Sequence, residues 1–175
     1  FLTVSSPDRL TELRSTLGSF PCNKIQKYWN GNGLDINCWT GETTKELQTK
    51  FPDICFYGVD KNKHAIDVAK KRYSKEFFRT VNLENESVEY KDLYRIVHVS
   101  KYDHLPTMLQ RAYLLLEEEG MMIVRYQEKD FDYLKKMYER YRSVPELSNP
   151  MYLFPESKKA IFFADLQYRE NEFLA

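Results

Sequence analysis

Short apolar segments alternate along this chain with polar segments that carry apolar side chains at helical spacing, and this alternation is the strongest constraint on the fold. Leu34-Asp35-Ile36 precedes a helical pattern at Glu42–Lys50, and Cys55–Asp60 precedes another at His64–Tyr73. Strands alternating with helices of about ten residues predict an α/β domain with a mainly parallel sheet flanked by helices. Further strands are predicted at Phe77–Val81, Arg95–Val99, Met121–Val124 and Lys159–Leu166, with helices from Pro106 to about Gly120 and at Phe131–Tyr141.

The whole chain, residues 1–175, is predicted to form a single domain, since its length matches one domain. Ser6 and Pro7 are typical of a helix start, so an N-terminal helix is expected. Because the chain begins with Phe1, it is interpreted as a fragment of a larger protein. The expected parts are an N-terminal helical segment (1–30), the core of the fold (31–128), and a C-terminal helix with a final strand (129–175).

Composition argues against several classes of function. Lysine and arginine number 26 and so do aspartate and glutamate, which disfavours nucleic acid or an anionic membrane as a partner. Cys22, Cys38 and Cys55 form no C-x-x-C pair and no cluster with histidine, so neither a disulfide framework nor a metal site is expected. A reducing cytoplasmic or nuclear location therefore fits best. No apolar run approaches the roughly 18 residues of a membrane span.

The candidate site lies where the first two predicted strands end. Leu34–Gly41 reads as a strand and a tight turn before a helix, and the next strand ends in Asp60. Ligands of parallel α/β sheets bind outside the carboxyl ends of the strands. A turn of this kind lets backbone N–H groups approach a nucleoside cofactor, and the acid on the next strand binds its ribose hydroxyls.

In order, these segments resemble class I S-adenosylmethionine-dependent methyltransferases, and most closely the fungal group that includes regulators of secondary metabolism. The likeness covers roughly Asp8 to Glu128 and implies a Rossmann-like sheet. The family's sheet ends in an antiparallel hairpin, whereas only Lys159–Leu166 is predicted here beyond the fifth strand, so a shortened C-terminal edge is expected. The matching segments are Asp8-Arg9-Leu10, Gly33–Gly41, Phe51-Pro52, Phe56–Asp60, Ile96-Val97-His98 and Leu116–Gly120.

The resemblance implies a cofactor site that has lost much of its family pattern. The first two motif glycines are Asn37 and Trp39, and the acid after the third strand is Asn82. The acid at the start of the fourth strand is Arg95. Side chains at the glycine positions oppose close backbone approach, so a vestigial or atypical site without catalytic residues is expected. Its S-adenosylmethionine-contacting positions are Asp35, Asn37, Trp39, Gly41, Asp60 and Asn82.

Single residues within this pattern leave alternatives open. Trp39 is interpreted first as a plug that fills the cofactor space, and otherwise as an exposed partner-binding aromatic or a ligand platform. His98 is either a general base or a structural histidine. His64 and His104 are expected on solvated loops or helix caps. Lysines and arginines between Lys61 and Arg79 form either a solvated face or a docking surface.

Two functions compete for this sequence. The first is a catalytically inactive methyltransferase-like domain that acts as a protein-interaction or scaffolding module and has no bound cofactor. The alternative is an active S-adenosylmethionine-dependent methyltransferase with an atypical cofactor loop, supported by the retained Asp35, Gly41 and Asp60. A protein partner is expected for the first hypothesis, and charge neutrality disfavours a third, nucleic-acid-binding function.

Overall fold

The computed structural model describes residues 31–86, 93–141, 151–154 and 159–163. The predicted N-terminal helix lies outside these residues. Two short 3₁₀ turns, Lys75–Phe77 and Glu128–Asp130, accompany the main elements. In chain order these are β1 (Gly31–Ile36), α1 (Glu42–Lys50), β2 (Ile54–Asp60), α2 (Lys63–Arg72), β3 (Phe78–Thr80), β4 (Tyr94–Val99), α3 (Leu105–Leu115), β5 (Leu116–Val124), α4 (Phe131–Tyr141), β6 (Met151–Phe154) and β7 (Lys159–Phe163).

The strands form one sheet in the order β3-β2-β1-β4-β5-β7-β6. Every neighbouring pair from β3 to β7 is parallel, and only the edge strand β6 runs antiparallel to its neighbour. The chain crosses from β1 outward to β3 and then returns to β4 beside β1, so the carboxyl ends of β1 and β4 mark the switch point. The predicted mainly parallel, Rossmann-like sheet is confirmed.

Helices cover the two faces of the sheet in two pairs. Thr44 of α1 donates a hydrogen bond to Asp35 of β1, and Ile66 of α2 packs with Phe78 of β3, so α1 and α2 share one face. On the other face, apolar side chains of α3 pack with Leu134 of α4 against β1, β4 and β5. Burial of these apolar faces supplies the main driving force for folding. The core of that second face includes Leu34, Val97, Val99, Leu109, Met122 and Val124.

Two boundaries differ from the sequence prediction. The helix predicted to run to about Gly120 ends at Leu115, and β5 begins at Leu116. Leu116 is completely buried, so the apolar core holds it in extended conformation. The pairing of β4 with β5 shifts register between Tyr94 and Ile96, and Glu119 adopts a φ of 65° within this irregular stretch.

The C-terminal edge of the sheet also differs from the prediction. The edge was expected to be shortened, with one strand beyond β5, but Met151–Phe154 forms β6 and pairs antiparallel with β7. Tyr152 and Phe154 are aromatic residues that favour strands, and prolines lie only on the flanks of the run, at 150 and 155. The edge is therefore a hairpin of two short strands, of four and five residues.

Candidate functional site

The turn after β1 keeps the backbone path of a glycine-rich loop with side chains in place. Asn37 and Trp39 adopt φ values of 60° and 55°, and Gly41 adopts 93°. The left-handed region suits glycine and costs a side-chain-bearing residue free energy. Cys38 anchors the turn, because its N–H donates to the Val59 carbonyl at 3.0 Å. The turn therefore lies directly against the end of β2.

Asp60 ends β2 and holds two loops together. It is 4% exposed, and one carboxylate oxygen accepts the Trp39 N–H at 2.9 Å. The other oxygen accepts the N–H of Asn62 at 2.8 Å. Asn62 in turn caps α2 by accepting the Ala65 N–H at 3.0 Å. The predicted placement of Asp35 and Asp60 near the carboxyl ends of adjacent parallel strands is confirmed.

The loops after β1 and β4 are joined across the switch point. The Asn37 side-chain amide donates to the carbonyl of Lys101. The Lys101 ammonium lies 5.5 Å from the centre of the Trp39 ring, within cation–π range. Asn37 and Trp39 thus both contact the loop after β4.

The loops after β2 and β3 contact the same β4 loop. Lys61 pairs with Asp103 at 2.5 Å, and the hydrogen bond from Lys61 lowers the pKa of Asp103 below its usual value. The N–H of Asp103 donates to Glu84 at 2.8 Å. The loops after β1, β2, β3 and β4 are therefore connected by side-chain contacts.

Trp39 is not the buried plug expected first from the sequence. Its side chain is among the large apolar groups left exposed, with 42% of its surface accessible. Its N–H is held by Asp60, and its ring lies beside the Lys101 ammonium, so the indole is placed next to the loop after β4. The two remaining interpretations of Trp39, an exposed aromatic for a partner and a ligand platform, fit this position.

Asp35 is the centre of a buried polar cluster beneath the turn. It is completely inaccessible, and its carboxylate accepts from Thr44 at 2.9 Å and from Ser100 at 2.8 Å. The Nδ1 atom of His98 lies 3.0 Å from the same carboxylate. His98 is also completely buried, and no described residue forms a hydrogen bond with its Nε2. A group without access to solvent cannot meet a substrate in this conformation, so the geometry favours the structural interpretation of His98.

Cys38 lies between the two acids of the site. Burial raises the pKa of its thiol, and the nearby carboxylates of Asp35 and Asp60 raise it further. The thiol therefore stays protonated, which removes it as a nucleophile.

Asn82 and Arg95 contact residues close to their own strands. The side-chain oxygen of Asn82 accepts the N–H of Glu84, and the Asn82 N–H donates to Glu86 at 2.9 Å. Arg95 pairs with Glu117 across the β4–β5 ladder. His64 and His104 are both exposed, as predicted. His104 is the N-cap of α3, but His64 lies within the first turn of α2 instead of on a loop or cap.

The partners of Asp35, Asn37 and Trp39 were not predicted from the sequence. Thr44 and Ser100 donate hydrogen bonds to Asp35, but a single threonine or serine in a sequence does not indicate that the fold will bring it near an acid. Lys101 and Asp103 follow directly after β4, which the strand order places beside β1. Their position at the switch point could have indicated that they lie close to the turn after β1.

No protein-family model matches the chain, and no curated protein matches it. Solved structures similar to it include a TehB-like SAM-dependent methyltransferase from Corynebacterium glutamicum, with a TM-score of 0.52 and 16% identity over 63% of this chain and 64% of that one. A putative sarcosine dimethylglycine methyltransferase from Galdieria sulphuraria has a TM-score of 0.54 and 13% identity, over 83% of this chain and 66% of that one. DesVI from Streptomyces venezuelae has a TM-score of 0.52 and 15% identity, over 70% of this chain and 52% of that one.

Within the described ranges, no group of three or more histidine, cysteine or acidic side chains is arranged to hold a metal ion. No described helix combines the length and the apolar character needed to cross a bilayer. The chain spans about two thirds or less of the length of the three structures named above. It has the fold of class I S-adenosylmethionine-dependent methyltransferases.

Proposed function

We propose that this domain is a catalytically inactive methyltransferase-like module that serves as a protein-interaction platform. The observation that carries the proposal is the set of side-chain contacts connecting the four loops at the carboxyl edge of the sheet. In an open cofactor site these loops would offer backbone N–H groups and a free acid to the ligand. Here the chain's own side chains use those groups.

The residues present fit S-adenosylmethionine poorly. Asn37 donates to Lys101 across the switch point, where the first family glycine would leave room. Asp60, the candidate ribose acid, is 4% exposed and accepts a backbone N–H on each oxygen. Binding would have to break or displace these contacts, and each broken hydrogen bond costs affinity. We therefore assign no cofactor and no catalytic residue to this domain.

The surface above the loops supplies the platform. Trp39 is 42% exposed, and its ring lies beside the Lys101 ammonium. Tryptophan is enriched among the residues that dominate the energy of protein interfaces. The Asp60 contact to its backbone holds the ring on a fixed turn, so little conformational entropy is lost when a partner covers it.

An active methyltransferase remains the second candidate, and specific observations favour it. Gly41 keeps a glycine conformation with a φ of 93°, and Asp60 lies at the end of β2 beside the turn. Transfer to an acceptor that is already nucleophilic requires positioning more than acid–base catalysis. In this alternative, Trp39 would serve as a platform for the ligand.

Calorimetric titration with S-adenosylmethionine and with S-adenosylhomocysteine separates the two candidates. The platform proposal predicts no binding tighter than about 1 mM for the wild-type chain. Micromolar or tighter binding would support the enzyme and refute the proposal. The double variant Asn37→Gly/Trp39→Gly is expected to gain weak binding if side chains alone close the site. Thr40→Gly, in the same turn but not at one of the family's glycine positions, is the matched control and should gain none.

The interaction arm of the proposal needs its own test. The test uses three immobilised proteins, which are the wild-type chain, Trp39→Ala and Tyr133→Ala. Each is incubated with the same cell extract, and the proteins that it retains are identified by mass spectrometry. Tyr133 is a matched control, since it is also 42% exposed but lies on α4. A partner held by the platform should be retained by the wild type and by Tyr133→Ala and lost from Trp39→Ala. Equal retention by all three proteins would refute the role of Trp39.

A further inference from the structure

One part of the sheet lacks a helical cover within the described residues. The helices α3 and α4 share a face, and α3 packs on β4 and β5. The connection from β3 to β4 would place a helix on the same face beyond β1, as right-handed crossovers do. Its described residues, 81–86 and 93, contain no helix. Among the described residues, no helix therefore covers the face of β1 and β2 as α3 and α4 cover the rest of that side of the sheet.

A cavity of about 420 Å³ occupies this position. Leu34 of β1 and Tyr57 and Val59 of β2 form its floor, and the rings of Phe77 and Tyr94 contribute to its walls. The rings of Tyr57 and Phe77 already pack together, with centroids 5.7 Å apart. The volume is within the range of roughly 300–1,000 Å³ that small-molecule sites occupy, and aromatic and apolar linings are typical of such sites.

The described lining of the cavity does not include the turn after β1. Val81, Leu83 and Glu86 of the loop after β3 line it, but none of Asn37, Trp39, Asp60 and Asn82 does so. The cavity also extends toward the amino ends of the strands, where Tyr94 begins β4. A ligand here would not depend on the cofactor turn.

Charge at the cavity restricts the ligand class. Its described lining residues include two acids, Glu76 and Glu86, and one base, Arg79. The two carboxylates oppose an anion that loses water on entry. Asn32 and Thr80 add neutral hydrogen-bonding groups at the same cavity. The ring-lined floor favours planar molecules, since aromatic pairs gain free energy beyond area burial.

From this geometry we propose that the cavity over β1 and β2 binds an uncharged, planar aromatic small molecule. The proposal goes beyond the interaction platform, because it assigns a second site on a sheet face with a ligand of stated class. The described lining of the cavity includes neither Trp39 nor Asp60, so its occupation does not involve the turn that carries the platform.

Two fluorescent probes of nearly equal shape test the proposal. N-phenyl-1-naphthylamine is uncharged, and 8-anilinonaphthalene-1-sulfonate is the corresponding molecule with a sulfonate. The first should bind the wild-type chain saturably at one site with micromolar affinity, and the second should bind several-fold more weakly. Glu76→Gln removes one lining charge at an exposed position and should reduce the difference in affinity between the two probes.

Variants that fill the cavity locate the binding site. Val81→Trp and Thr80→Trp each place a large ring among lining residues, and Thr80 is exposed, so its variant should fold. Both should lower the affinity for the uncharged probe at least several-fold. Val68→Trp, on α2 and away from the cavity, is the matched control and should bind as the wild type does. Absence of saturable binding, binding unchanged by the folded Thr80→Trp variant, or equal affinity for the sulfonate would each overturn the proposal.

Discussion

Replacement of Asp35 tests whether this acid is structural. In Asp35→Ala, the hydroxyls of Thr44 and Ser100 and the Nδ1 atom of His98 lose a shared acceptor at 2.8–3.0 Å. A buried polar group left without a partner costs about 1–3 kcal/mol. Ser100 can partly recover by turning to His98, whose Nδ1 lies 3.4 Å away. We expect a total loss of about 3–5 kcal/mol, as for the removal of one partner from a buried charged cluster.

Chemical denaturation by urea, followed by far-ultraviolet circular dichroism, measures this loss. At about 2–4 °C per kcal/mol for a domain of this size, the melting temperature should fall by about 6–20 °C. Asp35→Asn keeps one side-chain oxygen as an acceptor and should lose less, about 1–3 kcal/mol. Asp53→Ala, at an exposed turn, is the control and should stay within about 0.5 kcal/mol of the wild type. A loss below about 1 kcal/mol for Asp35→Ala would refute the structural role.

Three further changes test the turn and its surroundings. Trp39→Gly should be more stable than Trp39→Ala by about 0.5–1 kcal/mol in urea titrations, because glycine adopts a φ of 55° without strain. The greater entropy of glycine in the unfolded chain offsets part of this stabilisation. Equal stability of the two variants would contradict strain at this position. Gly58→Ala should cost about 1–3 kcal/mol in the same assay, since a Cβ there would lie 2.8 Å from the Cys38 sulfur, Phe78 and Thr44. Burial raises the pKa of the Cys38 thiol, so at pH 8 iodoacetamide should alkylate Cys38 in the urea-unfolded chain but not in the native one, as read by peptide mass spectrometry.

The sheet was predictable because its signal is local. The apolar segments at Leu34–Ile36 and Cys55–Asp60 are each followed by a helical pattern, and that alternation determines a parallel arrangement. The edge strand Met151–Phe154 was missed because its flanking prolines favoured a loop. The start of β5 at Leu116 was missed because helix and strand patterns meet there without a glycine or proline between them.

The site was predictable only in its positions along the chain. Spacing placed Asp35 and Asp60 correctly at neighbouring strand ends. The direction of each side chain depended on partners distant in sequence, such as Ser100 for Asp35 and Lys101 for Trp39. The plug interpretation of Trp39 was wrong for that reason, since a turn motif does not specify which loop its side chains will contact.

The fluorescence of Trp39 offers the most direct test of the closed cofactor site. In a Trp29→Phe variant, Trp39 is the remaining tryptophan and, at 42% exposure, should be quenched readily by acrylamide. Titration with S-adenosylmethionine should leave its emission unchanged apart from dilution, because Asp60 and Asn37 are already engaged by the chain itself. Saturable quenching at micromolar S-adenosylmethionine would instead make the indole a ligand platform and contradict the account.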